Sequence, residues 1–334
     1  GMALSWLNRS SQSDNGWTVH QPLKSWLRKP MLLIGGWWDP HLNGLLDLYQ
    51  QSSQAGGSPE LHIGPATHLQ WWPETQQLLL RFFDRHLQTS QVSTNQKRHL
   101  RGWNITTNQW QEITYTTKNS SSPISSWGLS SKGLACLDPS EGILHRNKQG
   151  SGLVHVVHDP WRPVQAVGGH LSPQPGLVER SAVDQRADVA TFTSQALQES
   201  LQLNGIPSLQ LTMQSDQPGF DLCVALSIVN QSQAKQISTG VLRVQGESAL
   251  RLLPRMVLLQ PILADLQPGE QLRLSIAGAA WPAIGVNPGH DQQPCGPPSA
   301  HCKVVTLTLQ LYGSKLLLLP LDSGKMNNDF SQEP

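Results

Sequence analysis

The 334-residue sequence predicts an α/β segment built on a parallel sheet, followed by an all-β jelly-roll sandwich. Three observations predict this. Between Pro30 and Leu87, short continuous apolar runs alternate with stretches of helical apolar rhythm. After Thr89, apolar and polar residues alternate singly in short stretches divided by Pro-Gly, Asn-Gly and Gly-rich turns. The length also suits about two domains at roughly 150 residues each. Polar Thr89–Asn95 marks the division, giving an α/β part over 1–92 and a sandwich over 93–330.

Residues 1–29 have no clear period, and their three tryptophans suggest packing against something. Met31-Leu32-Leu33-Ile34, closed by Gly35-Gly36, reads as a strand buried on both faces, as in a parallel sheet. Leu42–Gln54 carries Leu42, Leu45, Leu46, Leu48 and Tyr49 in helical rhythm and ends at Ala55-Gly56-Gly57-Ser58-Pro59. Glu60–Ile63 is the next strand, stopped by Gly64-Pro65, and Glu74–Leu87 a second helix with Leu78, Leu79, Phe82, Phe83 and Leu87 on one face. Strand, helix, strand, helix makes a βαβα unit with right-handed crossovers. Leu209–Met213, Leu222–Ile228, Gln271–Ile276 and Val304–Leu309 then alternate apolar and polar. Turns are expected at Asn204-Gly205, Pro218-Gly219, Pro268-Gly269 and Pro288-Gly289. Strands at this spacing indicate an antiparallel sandwich of jelly-roll type.

Composition removes several function classes. With 24 basic and 23 acidic residues the formal charge is +1, which is no nucleic-acid footprint. Charged residues are 14% of the chain, below the usual quarter or so, and Gln, Ser, Asn and Thr take their place. No apolar run approaches the roughly 18 residues of a membrane span. Cys136, Cys223, Cys295 and Cys302 have no CxxC spacing. Cys223 reads as a buried thiol; Cys295 and Cys302 share a loop and could pair, but the pattern is not that of a disulfide-built secreted fold. Gly1 precedes Met2, which reads as a cloning scar or a cut through a longer gene; with no signal peptide visible, a cytoplasmic location is expected.

In an α/β sheet, reactive groups collect at the carboxyl ends of strands. The first strand leads into Gly35-Gly36-Trp37-Trp38-Asp39, the second into Gly64-Pro65-Ala66-Thr67-His68. A carboxylate and an imidazole on adjacent strand ends, in that order, fit the last two members of a Ser-Asp-His triad. There the histidine acts as base and the aspartate fixes its tautomer. Two plainer roles stay open: an aspartate after a strand can cap the following helix, and a histidine after Gly-Pro can be an ordinary loop residue.

Gly35-Gly36-Trp37-Trp38-Asp39-Pro40-His41-Leu42-Asn43-Gly44 resembles the aspartate motif of the cocaine-esterase and X-Pro dipeptidyl-peptidase family, and Ile63–His68 its histidine motif. Family-like blocks continue in order: His158-Asp159-Pro160, Pro163-Val164 and Gly168-Gly169; Arg180, Asp184-Gln185-Arg186 and Asp188-Val189; Gly205–Leu226; Gly240–Arg243; and Gly269–Pro288. The resemblance covers roughly residues 30–321. It implies an α/β-hydrolase domain joined to a jelly roll resembling galactose-binding modules. It also implies ester or amide hydrolysis, including release of dipeptides after proline, through a serine ester and without a cofactor. By position, Asp39 is the triad acid and His68 the base. His41 stands where the family usually has an aromatic or apolar pocket residue, which bears on substrate preference, and Leu69 replaces a frequent glycine, a smaller departure.

No G-x-S-x-G elbow occurs in the 334 residues; Ser248 follows Gly246 by two, but Leu250 fills the second glycine position. The nucleophile is therefore expected upstream, and the chain alone is expected to be inactive toward acyl esters. Trp37, Trp38, Trp71 and Trp72 flank the dyad. Either they line a pocket, with Trp37, Trp38, His41 and Trp71 as its candidates, or they pack between the domains. Asp159, Arg180, Asp184, Arg186 and Asp188 read as salt-bridge and turn residues. His290, Asp291, Cys295, His301 and Cys302 match no zinc spacing, so no metal site is expected. The expected partner is a small ester, amide or peptide, with no nucleic acid and no membrane. The competing reading is a non-catalytic carbohydrate-binding or interaction module, because jelly rolls often bind sugars.

Overall fold

The computed structural model describes residues 20–87, 99–113, 122–291 and 298–321. The polar division at 89–95 and Cys295 lie outside these residues.

The first layer is a four-stranded sheet. Strand β1 (Leu32–Trp38) leads to helix α1 (Leu42–Gln54), strand β2 (Glu60–Thr67) and helix α2 (Thr75–Leu87). Strands β1 and β2 run parallel, from Leu32 opposite Glu60 to Trp38 opposite Thr67. Both strands run past the glycines expected to end them. The reason is close packing. A Cβ on Gly36 would collide with the Ala66 carbonyl, and one on Gly64 with the Trp72 ring, so these glycines let backbone and indole approach. Helix α1 buries Leu42, Leu46 and Tyr49, spaced four and three apart on its core face. Helix α2 has no fully buried residue; Leu79, Leu80, Phe83 and Leu87 are exposed.

Strands β3 (His99–Asn104) and β4 (Gln109–Glu112) correct the expected partition. Placed by sequence in the sandwich, they complete the first sheet instead, β3 parallel to β2 and β4 antiparallel to β3. Their polar-rich alternation is that of strands with one dry face, whichever sheet they join.

The rest of the described chain is mostly β. In order come β5 (Ser125–Ser130), β6 (Ile143–Arg146), β7 (Leu153–His158), β8 (Val178–Glu179), the single-turn helix α3 (Ser181–Asp184) and β9 (Val189–Ser194). They are followed by β10 (Leu201–Ser215), β11 (Gly219–Asn230), β12 (Gln233–Gln245), β13 (Leu253–Leu258), β14 (Ile262–Leu266), β15 (Gln271–Ala277) and β16 (Val305–Leu319). These make one curled 12-stranded sheet. Pairing is antiparallel throughout except β6 with β9. Ser238 Oγ on β12 donates to the Gln260 carbonyl just past β13 (2.6 Å), so distant strands of the order meet as the sheet curls.

Gly269 turns the chain between β14 and β15 at φ +88°. The turn expected at Asn204-Gly205 is absent: this pair lies inside β10, at the point where the strand changes partners. Leu201–Gly205 pairs with β14, and pairing with β16 begins at Ile206. A single apolar cluster runs from Leu33, Trp37 and Leu42 to Leu316 and Leu318, so both sheets share one core. The junction is also hydrogen-bonded, Ile105 N–H to Leu263 O at 3.0 Å and Asp265 N–H to Thr106 Oγ1 at 2.7 Å. Among the described residues no helix is long and apolar enough to cross a membrane.

Candidate active site

Asp39 leaves the tip of β1 in a tight turn: its N–H donates to Gly36 O at 3.1 Å, and Leu42 N–H donates to its carbonyl at 3.1 Å. His68 leaves the tip of the parallel neighbour β2, in a turn shaped by Thr67, whose Oγ1 accepts from Leu69 N–H (3.3 Å) and Gln70 N–H (3.1 Å). Parallel pairing with Trp38 opposite Thr67 brings the two tips side by side.

The two side chains meet. His68 Nδ1 lies 3.4 Å from Asp39 Oδ2. Asp39 is 3% exposed, whereas the His68 side chain is 56% exposed. A buried carboxylate against an imidazole open to solvent is the division of labour a proton relay requires, with the acid shielded and the base accessible. The 3.4 Å separation exceeds a tight charge-assisted bond of about 2.7–2.9 Å, as is common in sites without substrate.

The N-cap of α1 is His41, without a side-chain cap bond, so the capping role left open is not taken by Asp39. Its Oδ1 accepts the His41 N–H at 2.8 Å, at the start of α1, while Oδ2 faces His68. One carboxylate thus makes both contacts, one oxygen each. Its main-chain carbonyl accepts a further bond, 2.6 Å, from Nε2 of buried Gln260, which follows β13. Sequence gave no signal for Gln260: it lies in the large β-domain, and nothing in its neighbourhood resembles a motif. His41 and His68 meet edge to face with ring centroids 4.8 Å apart.

Among the four tryptophans the structure separates core from surface. Trp37 is 2% exposed and its Nε1–H donates to Trp103 O at 2.6 Å; it is a core residue, which corrects its assignment to a pocket. Its position on a strand covered on both faces decides this. Trp72 is buried against Gly64 and Trp110. Trp38 is half-buried and packs against the core, and Trp71 is exposed.

A second imidazole, unremarked in the sequence, sits inside the same sheet. His62 on β2 is buried and accepts a hydrogen bond at Nδ1 from Arg101 Nε, 2.6 Å. Burial, reinforced by the Arg101 charge, lowers its pKa to about 3, so it stays neutral and serves the core. Arg180 bonds Asp184 at 2.8 Å, Arg186 grips Asp188 through two N–H groups at 2.8 and 2.7 Å, and Asp159 accepts Trp161 N–H at 2.9 Å. Arg180 and Asp184 are buried and tie α3 to Gln236 on β12 and Ser275 on β15, while Arg186, Asp188 and Asp159 hold partly exposed turns.

The profile of the X-Pro dipeptidyl-peptidase C-terminal non-catalytic domain matches residues 70–313, which is most of the chain. The chain belongs to that family. The X-Pro dipeptidyl-peptidase (S15 family) profile matches residues 1–70, the stretch holding both Asp39 and His68. No curated protein matches the sequence. Solved structures share the fold. An α-amino acid ester hydrolase superposes with TM-score 0.70 at 17% identity, over 88% of this chain and 56% of that one. An aminopeptidase from a marine sediment archaeon, Thaumarchaeota archaeon, gives 0.67 at 14%, over 87% and 54%. A CocE/NonD family hydrolase from Staphylococcus aureus gives 0.59 at 14%, over 92% and 57%. The chain spans a little over half the length of these relatives.

Proposed function

We propose that Asp39 and His68 are the acid and base of a Ser-Asp-His relay hydrolysing a small ester, amide or peptide, with the serine on a segment preceding residue 1. The observation that carries the reading is the 3.4 Å approach of a buried carboxylate to an exposed imidazole at adjacent parallel strand tips. The S15 peptidase match across both residues supports it, as does the lack of any G-x-S-x-G elbow in a chain matching only about half of each relative.

The chemistry follows from the geometry. Nδ1 of His68 faces Asp39, which leaves Nε2 to take the serine proton as Oγ attacks the substrate carbonyl. Asp39 stabilises the resulting imidazolium, and Nε2 then returns the proton to the leaving alcohol or amine. Water repeats the cycle on the acyl-enzyme. Trp38, His41 and Trp71 border the relay and shape the acyl or leaving-group side of the pocket. The large β-domain is read as a jelly roll of the galactose-binding type that is not itself catalytic; through Gln260 it steadies the Asp39 turn.

Steady-state kinetics of the full-length gene product on a nitrophenyl ester test this. Asp39→Asn should lower kcat about 10³–10⁴-fold with little change in KM, and His68→Ala at least as much. The present chain alone should release no burst of nitrophenol. Unchanged kcat in both variants would contradict the relay, and no turnover by the parent would leave a binding module as the remaining reading.

A further inference from the structure

We propose that Asp39, His41 and His68 together bind a divalent cation of the zinc type. Among the described residues these three side chains each offer a ligating atom, and the atoms lie within 4.8 Å of one another. Asp39 Oδ2 and His68 Nδ1, at 3.4 Å, stand slightly farther apart than two ligands held at about 2.0–2.1 Å on a tetrahedron, roughly 3.3 Å. Two imidazoles and one carboxylate suit zinc, copper or nickel better than magnesium or calcium, which prefer all-oxygen shells. Three protein ligands leave a fourth position for water.

The surroundings favour the site. Asp39 is fixed before any cation arrives: Oδ1 holds the His41 N–H, and the carbonyl holds Gln260 Nε2. Such outer bonds orient a ligand and raise affinity. His41 and His68 are both exposed, and their rings already meet edge to face, so small rotations of surface side chains bring their nitrogens toward one point. No local spacing rule could show this, because the third ligand comes from the next strand.

Binding breaks no bond other than N–H. The carboxylate and two neutral imidazoles donate lone pairs; a neutral ring protonated on its ligating nitrogen gives that proton to solvent and takes one at its other nitrogen, and an imidazolium releases one proton. A cation held there occupies the groups the relay needs, and so switches the relay off. That consequence rests on the proposed relay; the binding itself does not.

Isothermal titration of the purified chain with zinc chloride tests the site, beside His41→Phe and Cys302→Ser. The second variant probes the other histidine and cysteine cluster, near 290–302. We expect one saturable equivalent in the parent, affinity at least about tenfold weaker in His41→Phe, and no change in Cys302→Ser. Zinc should raise the melting temperature of the parent and of Cys302→Ser but not of His41→Phe. A His41→Phe protein that melts normally without zinc yet binds it as tightly as the parent would overturn the proposal. So would loss of binding in Cys302→Ser alone, or no saturable binding in the parent. None of these outcomes bears on the Asp39→Asn kinetics.

Discussion

Two imidazoles on one strand face opposite demands. His68, at the tip of β2, is open to solvent and beside a carboxylate; His62, six residues earlier, is buried and beside a guanidinium. Only the first meets solvent and a carboxylate together. The second carries a stability cost in acid. An unfolded chain protonates this imidazole near its ordinary 6.5, whereas the folded chain resists until about 3. Between those values the unfolded state binds more protons, so stability falls as pH falls. The limiting slope for one such group is about 1.4 kcal/mol per pH unit. His170, lowered to about 4 by burial, adds to the same trend. His62→Gln keeps an acceptor for Arg101 but cannot titrate. Urea denaturation at pH 6.5, 5.5 and 4.5 should therefore show a shallower acid slope in His62→Gln, by up to about 1 kcal/mol per pH unit. Parallel slopes would contradict this account of His62.

Elements were legible where their signal is local. Helix α1, the parallel strands β1 and β2, and segments of β10, β11, β15 and β16 follow from apolar period alone. Strand ends were not, since a glycine that stops a strand and one that admits a neighbour look alike in sequence. Gly36 is of the second kind. An added methyl there meets the carbonyl oxygen of Ala66 on β2, and backbone cannot swing aside as a side chain can. Gly36→Ala should cost about 2–4 kcal/mol in chemical denaturation, because it forces β1 and β2 apart at the point where their tips present Asp39 and His68. A loss under about 0.5 kcal/mol would show that the glycine merely ends the strand. The placement of β3 and β4 was illegible for a related reason: alternation reports a half-buried strand, not which sheet receives it.

At the scale of the molecule, the meeting of Asp39 and His68 was readable from motif and order, but what steadies the Asp39 turn was not. Gln260 reaches the Asp39 main chain from 221 residues away, and a core common to both sheets fixes that reach. Trp37 shows the converse, a residue beside the motif that the core absorbs. The account rests on this assembled chain holding the His68 ring so that Nδ1 points at Asp39. Nitrogen-15 NMR of the imidazoles, recorded where His68 is neutral, measures this directly. The account predicts that His68 carries its proton on Nδ1, donated to Asp39, and that Asp39→Asn removes that preference. A His68 ring protonated mainly on Nε2, and indifferent to Asp39→Asn, would contradict it.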